Sequence, residues 1–229
     1  MVPIRIHEEI TMLESFLTIY KGGSGEVIEK KSRFIATVLP VEAEEEAIAY
    51  IEQMKKKHWD ASHNCSAYVI GRKDEIQRCS DDGEPSKTAG KPILDVLLGE
   101  GLHNVLVIVT RYFGGTLLGT GGLVRAYQVA TKEGLKNSLI INKIPGKKLR
   151  IVTDYIGLGK LQYISSQMDI LFLHTEYTDI VVILALVAMD KVEMFEKKAI
   201  EVTNGKIKIE SLETIYFANV LGEVQIFDT

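Results

Sequence analysis

Three stretches of the sequence hold side chains whose types and spacing could do chemistry. The first, RYFGGTLLGTGGLVRAY over residues 111–127, sets five glycines, Gly114, Gly115, Gly119, Gly121 and Gly122, between two arginines, Arg111 and Arg125. It follows a β-branched run and leads into a helical pattern, so bare backbone N–H groups open a helix with no Cβ in the way. Such a helix start holds an anion, and a guanidinium on either side suits bidentate contact with phosphate. GTGG fits neither GxxxxGK[ST] nor a complete GxGxxG, so the competing reading is a turn packed tightly on neighbouring backbone. Both arginines are expected at the surface, where replacement costs within about 0.5 kcal/mol.

The second stretch, SDDGEPSKTAGKP over residues 80–92, crowds Asp81, Asp82 and Glu84 around a turn glycine and adds the hydroxyls of Ser86 and Thr88. Oxygen ligands of this kind suit Mg²⁺, although the EF-hand spacing is absent. The same residues can cap a following helix, stay solvated, or orient an arginine. The third, HWDASHNCSAY over residues 58–68, offers His58, His63 and Cys65. No second pair stands at zinc spacing and nothing marks the thiol as activated, so Cys65 reads as strand packing and His63 as a hydrogen-bonding group at a strand entry. No metal and no cofactor are expected. The acidic turn, His63 and Arg111 are expected to meet the glycine turn in one site.

Elements must position these residues. The 229-residue chain is 46% hydrophobic and 25% charged, with a net charge of −4. That is globular composition, long enough for two domains, and it excludes a uniformly basic nucleic-acid coat while leaving room for a local basic groove. Two cysteines without CxxC spacing, and no secretory h-region, point to a reducing cytoplasm and free thiols. The most apolar run, residues 180–189, is too short to span a bilayer. Met12 reads as a natural start, or the residues before it as a loosely attached arm or an ordinary N-terminal extension.

Residues 26–41 read as one strand or a split one, 42–58 as an amphipathic helix, 65–72 and 76–80 as strands, 93–100 as a helix, 105–113 as a buried strand and 123–137 as a helix. The Lys-Pro-Gly composition of INKIPGKK reads as a linker or a strand entry, and residues 138–147 are taken as the linker. From 148 to 229 the rhythm is βαββαβ, the ferredoxin-like pattern. The fold class is α+β, with domains over 1–137 and 148–229.

HNCSAY, SDDGEPSKTAGKP and RYFGGTLLGTGGLVRAY, in that order and spacing, resemble the IMPACT family in its bacterial YigZ-type members. KKSRFIA at 30–36 resembles the family's first strand, so the likeness covers nearly all of residues 12–217. One departure is Lys87, where many members carry glycine. The resemblance implies an N-terminal domain of ribosomal-protein type, a βαβ fold with a left-handed crossover similar to elongation factor G domain IV. It implies a second domain similar to domain V of that factor. It also implies a setting in translation, since the eukaryotic relatives regulate translation under amino-acid starvation by competing for a ribosome-associated kinase activator.

Two functions are weighed. One is a non-catalytic RNA- or ribosome-binding protein, with a translation-associated protein as a further partner, in which Arg111, Arg125 and the glycine turn grip phosphate. The other is a Mg²⁺-dependent phosphoryl-transfer or hydrolytic enzyme built on Asp81, Asp82 and Glu84. With no P-loop and no general base held by an orienting group, binding is the preferred reading.

Overall fold

In the computed structural model, residues 14–227 are described; Met12 lies outside them. The chain is α+β and divides into two compact units. One covers residues 16–142. The other covers residues 143–227 together with residues 14 and 15, which were expected in the first domain. No helix among the described residues is long and apolar enough to cross a membrane.

The first unit runs β1 (Phe16–Lys21), β2 (Ser24–Glu29), β3 (Ser32–Pro40), α1 (Glu44–Lys57), β4 (His63–Ile70), β5 (Ile76–Ser80), α2 (Gly90–Gly99), β6 (Leu102–His103), β7 (Val105–Tyr112) and α3 (Thr120–Lys136). Its main sheet is antiparallel in the order β2-β3-β7-β4-β5, and β1 and β6 form a short parallel pair. Alternation along β7 explains its continuous apolar run. Val105, Val107 and Val109 pack with Ile93 and Leu97 of α2 and with Leu123 and Tyr127 of α3. Leu106 and Ile108 face the other way, onto Ala47 and Met54 of α1. Helix α1 carries Glu44, Glu45 and Glu46 in its first turn and Lys55, Lys56 and Lys57 in its last, which suits its dipole.

The second unit takes β8 (Leu139–Thr153) from residue 143 onward, then α4 (Tyr155–Met168), β9 (Leu171–Tyr177), β10 (Val181–Ala188), α5 (Val192–Val202), β11 (Lys208–Val220) and β12 (Glu223–Phe227). From β8 to β11 this is βαββαβ, all antiparallel, in the spatial order β12-β11-β8-β10-β9. Leu149, Ile151, Leu161, Ile183 and Phe195 form its core. The Asp154 side chain caps α4 by accepting the Gly157 N–H at 2.6 Å.

The expected linker at 138–147 is a correction: residues 139–147 are the first part of β8. Pro145 pairs with Tyr216 and Gly146 with Ile215. A Cβ at Gly146 would lie 2.7 Å from the Phe217 ring, so this glycine serves close packing and not flexibility. Strand β12 also went unread; Leu221 and Gly222, at φ 53° and 95°, turn the chain back from β11.

Candidate anion-binding site

The sheet brings two of the three chemical stretches side by side. His63 opens β4 directly opposite Arg111 at the end of β7, and both continue the face that packs on α2 and α3. The acidic turn leaves β5 and crosses beneath them. Glu84 is buried there, its side chain 2% exposed, and Arg111 Nη1 donates to its Oε1 at 2.5 Å. The Tyr127 hydroxyl, from α3, donates to the same oxygen at 2.8 Å. The guanidinium lies between the rings of Phe34 and Phe113, 5.3 and 5.5 Å from their centroids. Ser32 Oγ accepts from Arg111 Nη2 at 3.5 Å and from the Gly114 N–H at 3.1 Å.

His63 Nδ1 donates to the Asp82 carbonyl at 2.9 Å, which turns Nε2 toward Glu84 Oε2 at 3.8 Å. Cys65 Sγ is 2.9 Å from the Asp81 carbonyl and 3.3 Å from the Tyr127 hydroxyl. Burial pushes the Cys65 thiol up, and burial likewise pushes the Tyr127 hydroxyl up, so both keep their protons. A thiol held in this state packs; it does not attack.

Asp81 and Asp82 prove to be structural. Asp81 Oδ1 accepts the N–H groups of Ala89 and Gly90 at 3.0 and 2.8 Å, capping α2, while Oδ2 accepts the Lys87 N–H at 2.8 Å. Asp82 Oδ2 accepts the Asn64 N–H at 2.7 Å, and Oδ1 pairs with Lys55 at 2.9 Å. That carboxylate raises the Lys55 pKa. Thr88 donates to the Pro85 carbonyl at 2.6 Å, and Ser86 is exposed. Lys87 sits at φ 63°, the left-handed region in which glycine carries no Cβ penalty. Among the described residues no group of three or more His, Cys, Asp or Glu is placed to hold a metal ion.

Above Glu84 and Arg111 lies a pocket of about 490 Å³. Its walls are Ser62, His63, Gly83, Glu84, Pro85, Arg111, Phe113, Leu117, Leu118, Gly119, Thr120 and Leu123. The start of α3 opens into it, with Gly119 as N-cap at φ 73° and no side-chain cap. The glycines divide by task. Gly115 and Gly119 supply positive φ in open space. A Cβ at Gly114 would meet the Lys31 carbonyl carbon at 2.0 Å, which is packing of the kind the competing reading describes. A Cβ at Gly121 would make only ordinary contact with Arg125 Nη1 at 3.7 Å, and one at Gly122 would meet Leu118 Cβ at 3.0 Å.

Two expectations need correction. Arg111 is not a surface residue; its side chain is only 6% exposed, because the period of β7 carries it inward after Val109 and Glu84 neutralises it there. Arg125 is exposed but lines a separate recess with Val27, Glu29 and Gly122, so the two arginines do not converge. Tyr127, Ser32, Phe113 and Leu117 were not read as site residues. Tyr127 was readable only as part of the apolar face of α3, and nothing local marks its hydroxyl as a partner for Glu84.

Fold and site together define a two-unit α+β protein whose first unit sets a buried Arg–Glu–Tyr cluster under a glycine-opened helix. Residues 30–135 match the Impact N-terminal domain, and residues 151–206 match the Domain of unknown function (DUF1949). The sequence is 39% identical over 214 residues to the IMPACT family member YvyE of Bacillus subtilis (strain 168), covering 93% of this chain and 99% of that protein. It is 35% identical over 186 residues to the IMPACT family member YigZ of Escherichia coli (strain K12), covering 80% and 91%. Protein IMPACT of Mus musculus is 36% identical over 98 residues, 41% of this chain and 30% of that protein. A solved structure of an hypothetical protein superposes with a TM-score of 0.56 at 32% identity, covering 88% of this chain and 99% of that one. The chain belongs to the IMPACT family.

Proposed function

We propose that this protein is a non-catalytic RNA- or ribosome-binding protein of the cytoplasm, acting in translation or its regulation. The observation that carries the reading is the uncapped start of α3 opening on a pocket walled by Arg111 and His63. Helix N–H groups and their dipole favour a phosphate there. The enzyme reading loses support, because Asp81 and Asp82 spend their carboxylate oxygens inside the fold. In this reading residues 16–142 form a ribosomal-protein-type domain similar to elongation factor G domain IV. Residues 143–227 then form a ferredoxin-like domain similar to domain V, consistent with their βαββαβ order. Fold likeness to translation factors is analogy, and a translation-associated protein is the second partner it suggests.

The test is ribosome co-sedimentation and RNA anisotropy with the full chain across a salt series. Association should weaken with salt, with a log–log slope of roughly 0.7 per phosphate contact on single strands. Binding that ignores salt, or none at low salt, would overturn the reading.

A further inference from the structure

We propose that the pocket of residues 16–142 takes the terminal phosphomonoester of one nucleotide, as a free nucleoside monophosphate or as the phosphorylated end of an RNA strand. The strand-end form rests on the RNA-binding reading above; the free-nucleotide form does not.

Three polar positions on residues that line the pocket lack a partner that satisfies them. The first is the start of α3, a 17-residue helix whose N-cap, Gly119, offers no side-chain acceptor to the orphan N–H groups. The second is Arg111 Nε, buried and without a hydrogen-bond partner, on a side chain that is only 6% exposed and lines the pocket. A buried guanidinium N–H left unpaired is costly, and a ligand acceptor would relieve it. The third is His63 Nε2. With the Nδ1–H committed to the Asp82 carbonyl, Nε2 is an acceptor in the neutral ring and a donor only in the imidazolium, and it faces Glu84 Oε2 across 3.8 Å, too long for a direct hydrogen bond. The Glu84 charge does not repel an anion strongly, because Arg111 and the Tyr127 hydroxyl both donate to it.

A phosphomonoester meets all three positions, with acceptor oxygens for the helix start and Arg111 and either its own P–O–H donated to Nε2 or a third oxygen accepting from the imidazolium; an internal diester has two terminal oxygens and no proton to give. The volume, about 490 Å³, falls in the range of small-ligand sites and holds one nucleotide, not a run of strand. The rest of the wall suits a nucleoside. Phe113 is 49% exposed and Leu117 83% exposed, which leaves an aromatic and an aliphatic surface for a base face.

The experiment uses the full chain and internally labelled RNA oligomers bearing a 5′-phosphate, a 3′-phosphate or neither, with adenosine 5′- and 3′-monophosphate as competitors. An end phosphate is expected to tighten binding at least tenfold, and Phe113→Ala to remove about tenfold of the affinity. Leu117→Asp changes an exposed position, so folding is kept while a carboxylate enters the pocket mouth; it is expected to abolish the end preference. Preference for a phosphorylated end without competition by free nucleotide identifies the strand end. Nucleotide binding with no preference among oligomers identifies the free ligand. Nucleotide binding with no RNA or ribosome binding supports the pocket and sinks the RNA reading. Equal affinity for all oligomers with no nucleotide binding overturns the pocket and leaves the RNA reading standing. An end preference that survives Leu117→Asp places the ligand elsewhere and also overturns it.

Discussion

Arg111→Ala tests the buried ion pair at the centre of the site. The arginine and Glu84 side chains are 6% and 2% exposed, so removing the guanidinium leaves a carboxylate with almost no water. Breaking a buried pair from one side costs about 3–5 kcal/mol. The Tyr127 hydroxyl still donates to Glu84, so the lower part of that range, about 3 kcal/mol, is expected. The paired change Arg111→Met with Glu84→Gln removes both charges, keeps an acceptor for Tyr127, and keeps an apolar stem between Phe34 and Phe113. Its cost should stay within about 1.5 kcal/mol, well below the single variant. Urea unfolding followed by far-UV circular dichroism gives the stabilities, and hydrogen exchange of β7 peptides assigns the loss to residues 16–142. A cost for Arg111→Ala within about 0.5 kcal/mol would mean that the guanidinium behaves as a surface group and that Glu84 is not held by it.

Gly114→Ala drives a Cβ into the Lys31 backbone and should cost more than about 2 kcal/mol, whereas Gly115→Ala, in open space at φ 81°, should cost about 1 kcal/mol; equal melting losses would contradict the packing role. Stability should fall on the alkaline side. Burial raises Cys65 and Tyr127, and burial aided by the Glu44 carboxylate takes Tyr68 to about 12. The folded chain therefore keeps protons that the unfolded chain releases above about pH 8.5 for cysteine and about pH 10 for tyrosine. The stabilisation is complete below those values and declines by about 1.4 kcal/mol per pH unit for each group beyond them. Urea midpoints from pH 8 to 10.5 should drop, with a later onset in Cys65→Ala; midpoints unaffected by Cys65→Ala would refute its share. Limited trypsin digestion should spare Lys143 and Lys147, which lie within β8; an early native cut at either would show that this ladder is not formed.

Much of the architecture was legible because it rests on local chemistry. Acids leading and lysines closing residues 42–58 announce α1, and the β-branched run from Val105 announces β7. The site was less legible because its bonds span distance. Glu84 meets Arg111 across 27 residues and Tyr127 across 43, and only the sheet order brings them together. One signal was available: Arg111 keeps the phase of Val105, Val107 and Val109, and that phase points inward. The misread linker has a similar cause. Pro145 and Gly146 have the composition of a break, but Gly146 is small because the Phe217 ring comes close, a contact from 71 positions away that no local pattern carries. Strand β1 lies next in space to the two residues of β6, which are too few to show any period.

The place of β7 also orders events in time. It lies between β3 and β4, and so joins the hairpin of β2 and β3 to that of β4 and β5. Both hairpins precede it in the chain. A ribosome making this protein releases two separate hairpins, each with an open edge, and no sheet can close until Tyr112 has left the exit tunnel. The helix that covers one face, α3, comes later still, ending at Lys136. The first unit is therefore committed to wait, with apolar strand faces uncovered, for more than half of the chain to be synthesised.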